Sequence, residues 1–430
     1  MTAATSAAPV AIPGRGLQLA LGVVAMMAIS SPQYVWTLFV GPLRTELGAS
    51  LAAVQATFAI FSIFQCGLGP LHGHLAARVS PRAFVAIGGA LVGASWIASS
   101  FATSLPLLYF TYGVLSGIGT GFVYVSVIEL MVQYWPDRRG FAVGMVTGSY
   151  GFGAICTTFP IAWAMQRSGL HNTLIWFGAI FAVVIALAAL GMKRYGPAST
   201  LAAKADQPGV SPAQMLKTPV FWVLFVLMTM VAIGGLMVIS QLGPFAASMG
   251  ISETTTVMGL AALPLALTID RIANGVTRPF FGWISDRIGR EPTMFIAFGL
   301  EAIGVFLLLK LGDQPVAFVL LSGLVFFGWG QIYALFPSLQ ADLFGPRYAV
   351  QNFGYLLVST AVASVLGAPV AAMLLESSGS WNAAFYAVIV LDTLAAIASV
   401  AVLAPMTKRI RQARLATLPA AAAMDAHVSI

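Results

Sequence analysis

Apolar runs longer than 18 residues recur along the whole chain with scarcely a charge inside them, and this limits the possible folds more than any other feature. Residues 219-246, PVFWVLFVLMTMVAIGGLMVISQLGPFA, hold no Lys, Arg, Asp or Glu at all. A helix rises about 1.5 Å per residue, so roughly 20 such residues cross a hydrocarbon layer of about 30 Å. Period-2 alternation is absent, which excludes the strands of a membrane barrel. Of the 430 residues, 59% are hydrophobic and 8% are charged, with mean hydropathy +0.90. Soluble domains carry about a quarter charged residues. A water-facing surface is therefore out of reach for this chain, and most of its surface must meet lipid.

Twelve spans follow, near 16-41, 52-76, 83-103, 105-133, 141-166 and 171-192, then 219-246, 255-284, 293-312, 314-339, 350-375 and 381-404. They form an N-terminal six-helix bundle over 15-192 and a C-terminal one over 219-404. Between them, 193-218 is rich in Pro, Ala and small polar residues and reads as a linker. Residues 1-14 lack a basic segment leading into an apolar one and read as a disordered tail, not a signal peptide; 405-430 reads as a second tail. With the N-terminus inside, sixteen Lys and Arg fall on the cytoplasmic side and three (Arg44, Arg167, Lys310) outside. That asymmetry puts both termini in the cytoplasm of a bacterial-type inner membrane. It also accounts for the net charge of +7 without a nucleic-acid partner. Cys66 and Cys156 lie in apolar runs, imply no disulfide framework, and with the rest of the sequence suggest no metal site and no cofactor.

The two halves echo each other. The loop after span 2, Gly73-His-Leu-Ala-Ala-Arg78-Val-Ser-Pro-Arg82, has its counterpart after span 8 in Gly282-Trp-Ile-Ser-Asp286-Arg287-Ile-Gly289-Arg290. Glu129, at the cytoplasmic end of span 4, is matched by Asp342 at the end of span 10. Repeats of this kind suit a rocking-bundle transporter. The second loop closely resembles the signature loop of the major facilitator superfamily, and the twelve-span layout agrees with it. More narrowly, the chain is similar to the oxalate/formate antiporter branch. The similar segments are Gln33-Tyr34-Val-Trp36-Thr-Leu-Phe39, Ser50-Leu-Ala-Ala-Val-Gln55, Trp135-Pro-Asp-Arg-Arg-Gly140, Met215 to Trp222, Asn274-Gly-Val-Thr-Arg278-Pro279 and Tyr333-Ala-Leu-Phe-Pro337. The resemblance implies an all-α major facilitator fold, with a cavity lined by spans 1, 4, 7 and 10, flanked by 2, 5, 8 and 11, and with 3, 6, 9 and 12 outside. Two departures stand out. Ala77 and Ser80 replace the Asp and Gly of the first-half motif, and Thr360 stands where the branch carries a second substrate-binding lysine.

A charge at membrane depth costs at least a few kcal/mol, so such a residue is a functional candidate. Asp270, Arg271, Arg278, Glu301 and Asp392 qualify. Arg271 and Arg278 are seven residues apart, within about 20° of two full turns and roughly 10.5 Å along the axis, with Asn274 on the same stripe. Arg278 offers paired N–H donors to a carboxylate, and the resemblance implies a substrate-binding arginine there. Its alternative is a structural ion pair or a side chain reaching to the interface. Arg271 either contacts substrate or pairs with Asp270, and Asp270 is either a protonation site or a fixed counter-ion. Glu301 and Asp392, in spans 9 and 12, read as structural or as protonated and shielded from lipid. Gln33, Tyr34, Trp36, Gln55, Tyr124, Tyr150, Trp329 and Tyr333 would be interhelical packing singly but form a small-ligand cage as a set. By resemblance Tyr34, Tyr124, Tyr150, Trp329 and Tyr333 match positions lining the substrate site. His72 and His74 are expected at the cytoplasmic interface.

The resulting reading is a monomeric secondary transporter for a small organic anion. With one family cation missing, it suits proton-coupled transport of a monocarboxylate such as lactate, pyruvate or formate. Oxalate:formate exchange is the alternative. A non-transporting sensor is disfavoured by the short tails, and an enzyme by the lack of any catalytic nucleophile–base pair.

Overall fold

The structure, a computed structural model, describes residues 14–76, 79–135, 139–193, 209–252, 254–345 and 347–417. Residues 1–13 of the expected tail (1–14), 194–208 of the expected linker (193–218) and 418–430 of the expected C-terminal tail (405–430) lie outside them, as do Ala77, Arg78 and Arg138. The protein is an all-α integral membrane protein. Nine helices among the described residues are long and apolar enough to cross a bilayer unaided. The twelve spans are recovered from these nine in a simple way. Ile155–Gly191 runs spans 5 and 6 together through a non-helical Gly169 (φ 75°). Span 2 is broken into Leu51–Ser62, a π-helical turn at Ile63–Gly67 and Gly69–Ala76. Span 8, Ala262–Ile288, carries Asp270, Arg271, Arg278, Asp286 and Arg287, too many charges to pass as simply apolar.

Sequence periodicity starts span 8 near residue 255, whereas the chain first makes a short hairpin, Thr256–Val257 against Leu260–Ala261. Its turn places Met258 and Gly259 at φ 52° and 79°. Val-Met-Gly-Leu is apolar throughout, so hydropathy alone does not separate it from the helix that follows. At the other end, the last span, Asn382–Ala398, continues through a π turn into Ala404–Thr417.

Spans 3 and 6 pack together within the first half, and 9 and 12 within the second. The halves meet through spans 2 and 11, 5 and 8, and 1 and 7. The seam between spans 2 and 11 is backbone on backbone: a Cβ at Gly69 would stand 3.0 Å from the carbonyl oxygen of Gly354. In lipid no hydrophobic force draws helices together, so small residues that permit such approach create the packing contact. Toward the ends of spans 7 and 11 that lie away from the linker, the halves are sealed by polar bonds. Gln55 Nε2 donates to Ser240 O (2.8 Å) and Gln241 Oε1 (3.1 Å), and Trp36 Nε1 donates to Gln55 Oε1 (3.0 Å). Gly243 N–H donates to Thr37 Oγ1 (2.6 Å).

Because a carbonyl oxygen has no rotamer by which to yield, Gly69→Val should spread spans 2 and 11 and cost about 1–3 kcal/mol. A thermal-denaturation series on purified protein should show a lower midpoint for Gly69→Val. Gly41→Val, where a Cβ meets nothing within 4 Å, should leave the midpoint unchanged.

Candidate functional site

Where the halves face each other at mid-depth they leave a cavity of about 30 Å³, enough for about two waters or the head of a small anion. Span 1 contributes Gln33 and Tyr34, and span 2 Gln65, Cys66 and Gly69. Gly121, Tyr124 and Val125 come from span 4, Tyr150 from span 5, Arg278 from span 8, Tyr333 from span 10 and Leu357 from span 11. Span 7 lines none of it; its polar residues go to the seal. A second cavity of about 200 Å³ shares Gly69, Tyr124, Val125, Tyr333 and Leu357 with the first. It runs on past Pro337, Gln340 and Gln351, toward the linker side, and so forms a vestibule.

Arg278 is the one charged side chain among the described residues on the wall of the central cavity. It is 6% exposed. One terminal nitrogen donates to the backbone carbonyl of Thr147, in the opposite half, and Nη2 donates to Asn274 Oδ1 at 3.2 Å. Its guanidinium carbon lies 5.3 Å from the Tyr333 ring centroid. Arg278 therefore bridges the halves by a bond to a neutral carbonyl, and no carboxylate among the described residues pairs with it. Opposite, Tyr150 donates to Gln33 Oε1 (2.6 Å) and accepts from Gln65 Nε2 (2.9 Å). Tyr34 and Tyr124 pack on Tyr150 at ring distances of 5.4 and 5.5 Å.

The other sequence candidates are spread around this centre. Asn274 holds Arg278, as its place on the stripe suggested. Trp329 is fully buried behind Tyr333, edge to face at 5.6 Å. Thr360 is 1% exposed and lies beside the Tyr333 hydroxyl. Gln55 and Trp36 are not brought to the cavity; they form the seal. Arg271 lies behind Tyr34, its guanidinium carbon 3.9 Å from the Tyr34 centroid and 4.2 Å from that of Phe326. Asp270 is fully buried and forms no salt bridge with it. Glu301 and Asp392 are also fully buried, away from the cavity, and both approach Gly234, where a Cβ would stand 2.8 and 3.2 Å from their oxygens.

Sequence reasoning missed Gln65 and Cys66. The π turn at Ile63–Gly67 adds a residue to the helical phase and swings both to the cavity, and a 3.6-residue period carries no sign of it. His72, expected at the interface, is fully buried instead, against Gly121 and Phe122 (5.2 Å between rings). The placement of the His74 side chain lies outside the described residues.

The loop after span 8 is built as a clasp. Gly289 takes φ 96°, which permits the sharp exit from the helix. Arg290 pairs with Asp286 at 2.7 Å and reaches Asp342 on span 10 at 3.4 Å, while also donating to Ser285. Arg287 lies over the Trp283 ring at 3.7 Å. Gly282, expected in the loop, lies inside the helix instead, since Ala262–Ile288 stays helical up to the residue before Gly289. In the first half, Glu129 is half-buried at the end of span 4.

Comparison with known proteins agrees with this architecture. The sequence profile of the Major Facilitator Superfamily matches residues 19–273 and again 263–424. An oxalate:formate antiporter of Oxalobacter formigenes is 35% identical over 376 residues, 86% of this chain and 87% of that protein. An uncharacterized MFS-type transporter of Escherichia coli (strain K12) is 25% identical, over 82% and 86% of the two chains. Monocarboxylate transporter 12 of Xenopus laevis is 26% identical, over 76% and 75%.

The cavity geometry gives a direct expectation for Arg278. Arg278→Ala removes the one wall charge among the described residues and should abolish carboxylate-dependent thermal stabilisation of the purified protein. Arg278→Lys keeps the charge but loses the planar pair of donors, and should retain at most about a tenth of the affinity. Full stabilisation of the alanine variant would place the anion elsewhere.

Proposed function

The chain belongs to the Major Facilitator Superfamily and is a transporter, not an enzyme; from that premise we propose that it moves a small monocarboxylate together with a proton, by alternating access. The observation that carries this reading is the single cation on the wall of a small, aromatic cavity. One guanidinium neutralises one carboxylate. A second carboxylate brought to the same low-dielectric site would be left uncompensated, at a cost of several kcal/mol. The three charges buried in span 8, Asp270, Arg271 and Arg278, sum to a single positive charge, which suits a monoanion.

The bond from Arg278 to the Thr147 carbonyl suggests how binding drives movement. A carboxylate arriving through the vestibule is a stronger acceptor than a neutral carbonyl. It takes the guanidinium donors and releases the bond between spans 5 and 8. The hydroxyls of Tyr34, Tyr124 and Tyr333 supply further donors around it. Freed of that contact, the halves rock, and the seal at Gln55 opens as the vestibule past Pro337 and Gln340 closes. Asp270 is the proton carrier in this scheme: it is a fully buried carboxyl that forms no salt bridge among the described residues. The excess of Lys and Arg on the linker side orients the vestibule toward the cytoplasm of a bacterial-type membrane.

Oxalate:formate exchange is the second reading, favoured by the extent of similarity to the Oxalobacter formigenes protein. Uptake of labelled lactate, pyruvate, formate and oxalate into proteoliposomes, with and without an inward proton gradient, separates the two. Monocarboxylate uptake that the gradient accelerates is expected. Oxalate preferred over every monocarboxylate would overturn it.

Two variants test the parts of the scheme. Asp270→Asn should lose acceleration by the gradient yet keep exchange between labelled and unlabelled substrate pools. If Asp270 only balances Arg271, both activities should fail and return when Arg271 is neutralised too. Thr360→Lys places a second cation next to Tyr333 and should raise preference for oxalate over lactate, measured as a competition ratio.

A further inference from the structure

Arg271 is a buried cation whose donors the described residues leave empty. It is 1% exposed, and Nε, Nη1 and Nη2 all lack a hydrogen-bond partner among them. The rings of Tyr34 and Phe326 lie against it, their centroids 3.9 and 4.2 Å from the guanidinium carbon. Neither ring fills an N–H donor, so the guanidinium keeps an edge of unfilled donors. Asp270 does not fill it. Consecutive residues on a helix do not face one another, and Asp270 forms no salt bridge with Arg271 among the described residues. Unpaired donors this deep are costly to maintain. The fork of in-plane N–H groups matches a planar carboxylate.

The position of this edge gives it a part in transport. Arg271 stands seven residues from Arg278 on span 8, roughly 10.5 Å nearer the sealed end. Tyr34 lines the central cavity on one side and covers Arg271 on the other. It thus separates the two cations. The seal formed by Trp36, Gln55 and Gln241 lies at the same end of the bundle as Arg271.

We propose that Arg271 is a second carboxylate station, reached from the sealed side when the halves rock and partitioned from the Arg278 station by the Tyr34 ring. This rests on the carboxylate-transport reading above. A single anion then passes between two guanidinium groups along one helix face, and each group serves the side of the membrane nearest to it. The absence of a permanent partner on Arg271 follows, since a fixed counter-ion would occupy the station.

A sided measurement tests it. Uptake of labelled lactate, pyruvate, formate and oxalate into intact cells reads the sealed side, and uptake into inverted vesicles reads the vestibule side. Arg271→Gln should raise the half-saturation concentration of the transported substrate about tenfold in cells, from loss of charge-assisted hydrogen bonds, and by less than about twofold in inverted vesicles. An equal change on both sides, or none on either, overturns the proposal. A structural role for Arg271 would lower the amount of active protein without moving one side's half-saturation. Should the Gln variant fail to reach the membrane, Arg271→Lys carries the same test, since a compact ammonium loses the fork and the one-sided loss is still expected. Failure of the underlying reading shows separately, as wild-type protein that takes up none of the four anions, and this result overturns both.

Discussion

The structure is arranged around an arginine held at mid-membrane without a carboxylate paired to it among the described residues. Burying a cation in a low-dielectric layer demands compensation, and the chain supplies the least it can: a carbonyl from the opposite half, an amide from the same helix and a tyrosine ring. A fixed acid would have satisfied Arg278 better and closed the site. In the proposed mechanism a neutral acceptor keeps the group in place while leaving it open to an incoming anion, and the bond that substrate would displace is one that spans the halves.

The surrounding structure divides cleanly into what must be rigid and what must yield. Spans 3, 6, 9 and 12 pack on the outside of their own halves. The clasp of Arg290 to Asp286 and Asp342 ties the ends of spans 8 and 10 into a unit. Between halves the contacts are different in kind: a glycine seam at one level, a small set of amide and indole bonds at another, and single side chains, Arg278 and Tyr34, reaching across at the cavity. Such contacts are exchanged at little cost when one bundle turns against the other.

Much of this is legible in the sequence because bilayer physics leaves few choices. Long apolar runs dictate helices, and charges inside them single out span 8 before any coordinates exist. Asn274 and Arg278 are found together because a 3.6-residue period puts them on one stripe. What escapes is what depends on a local change of period or on three-dimensional neighbours. Gln65 and Cys66 reach the cavity only through a π turn. Gln55, an amide in a cavity-flanking span, is indistinguishable by type from a ligand-binding residue, yet its height in the bundle makes it a seal. Arg271 and Asp270, adjacent in sequence and opposite in charge, invite pairing, but the helix turns them apart and Tyr34 and Phe326 take the guanidinium instead.

An experimental structure of the protein with lactate or formate bound is the most direct measurement of the central claim. The account predicts carboxylate oxygens within about 3 Å of the Arg278 terminal nitrogens, with the bond to the Thr147 carbonyl given up. An anion bound away from span 8, with Arg278 still donating to Thr147, would contradict it.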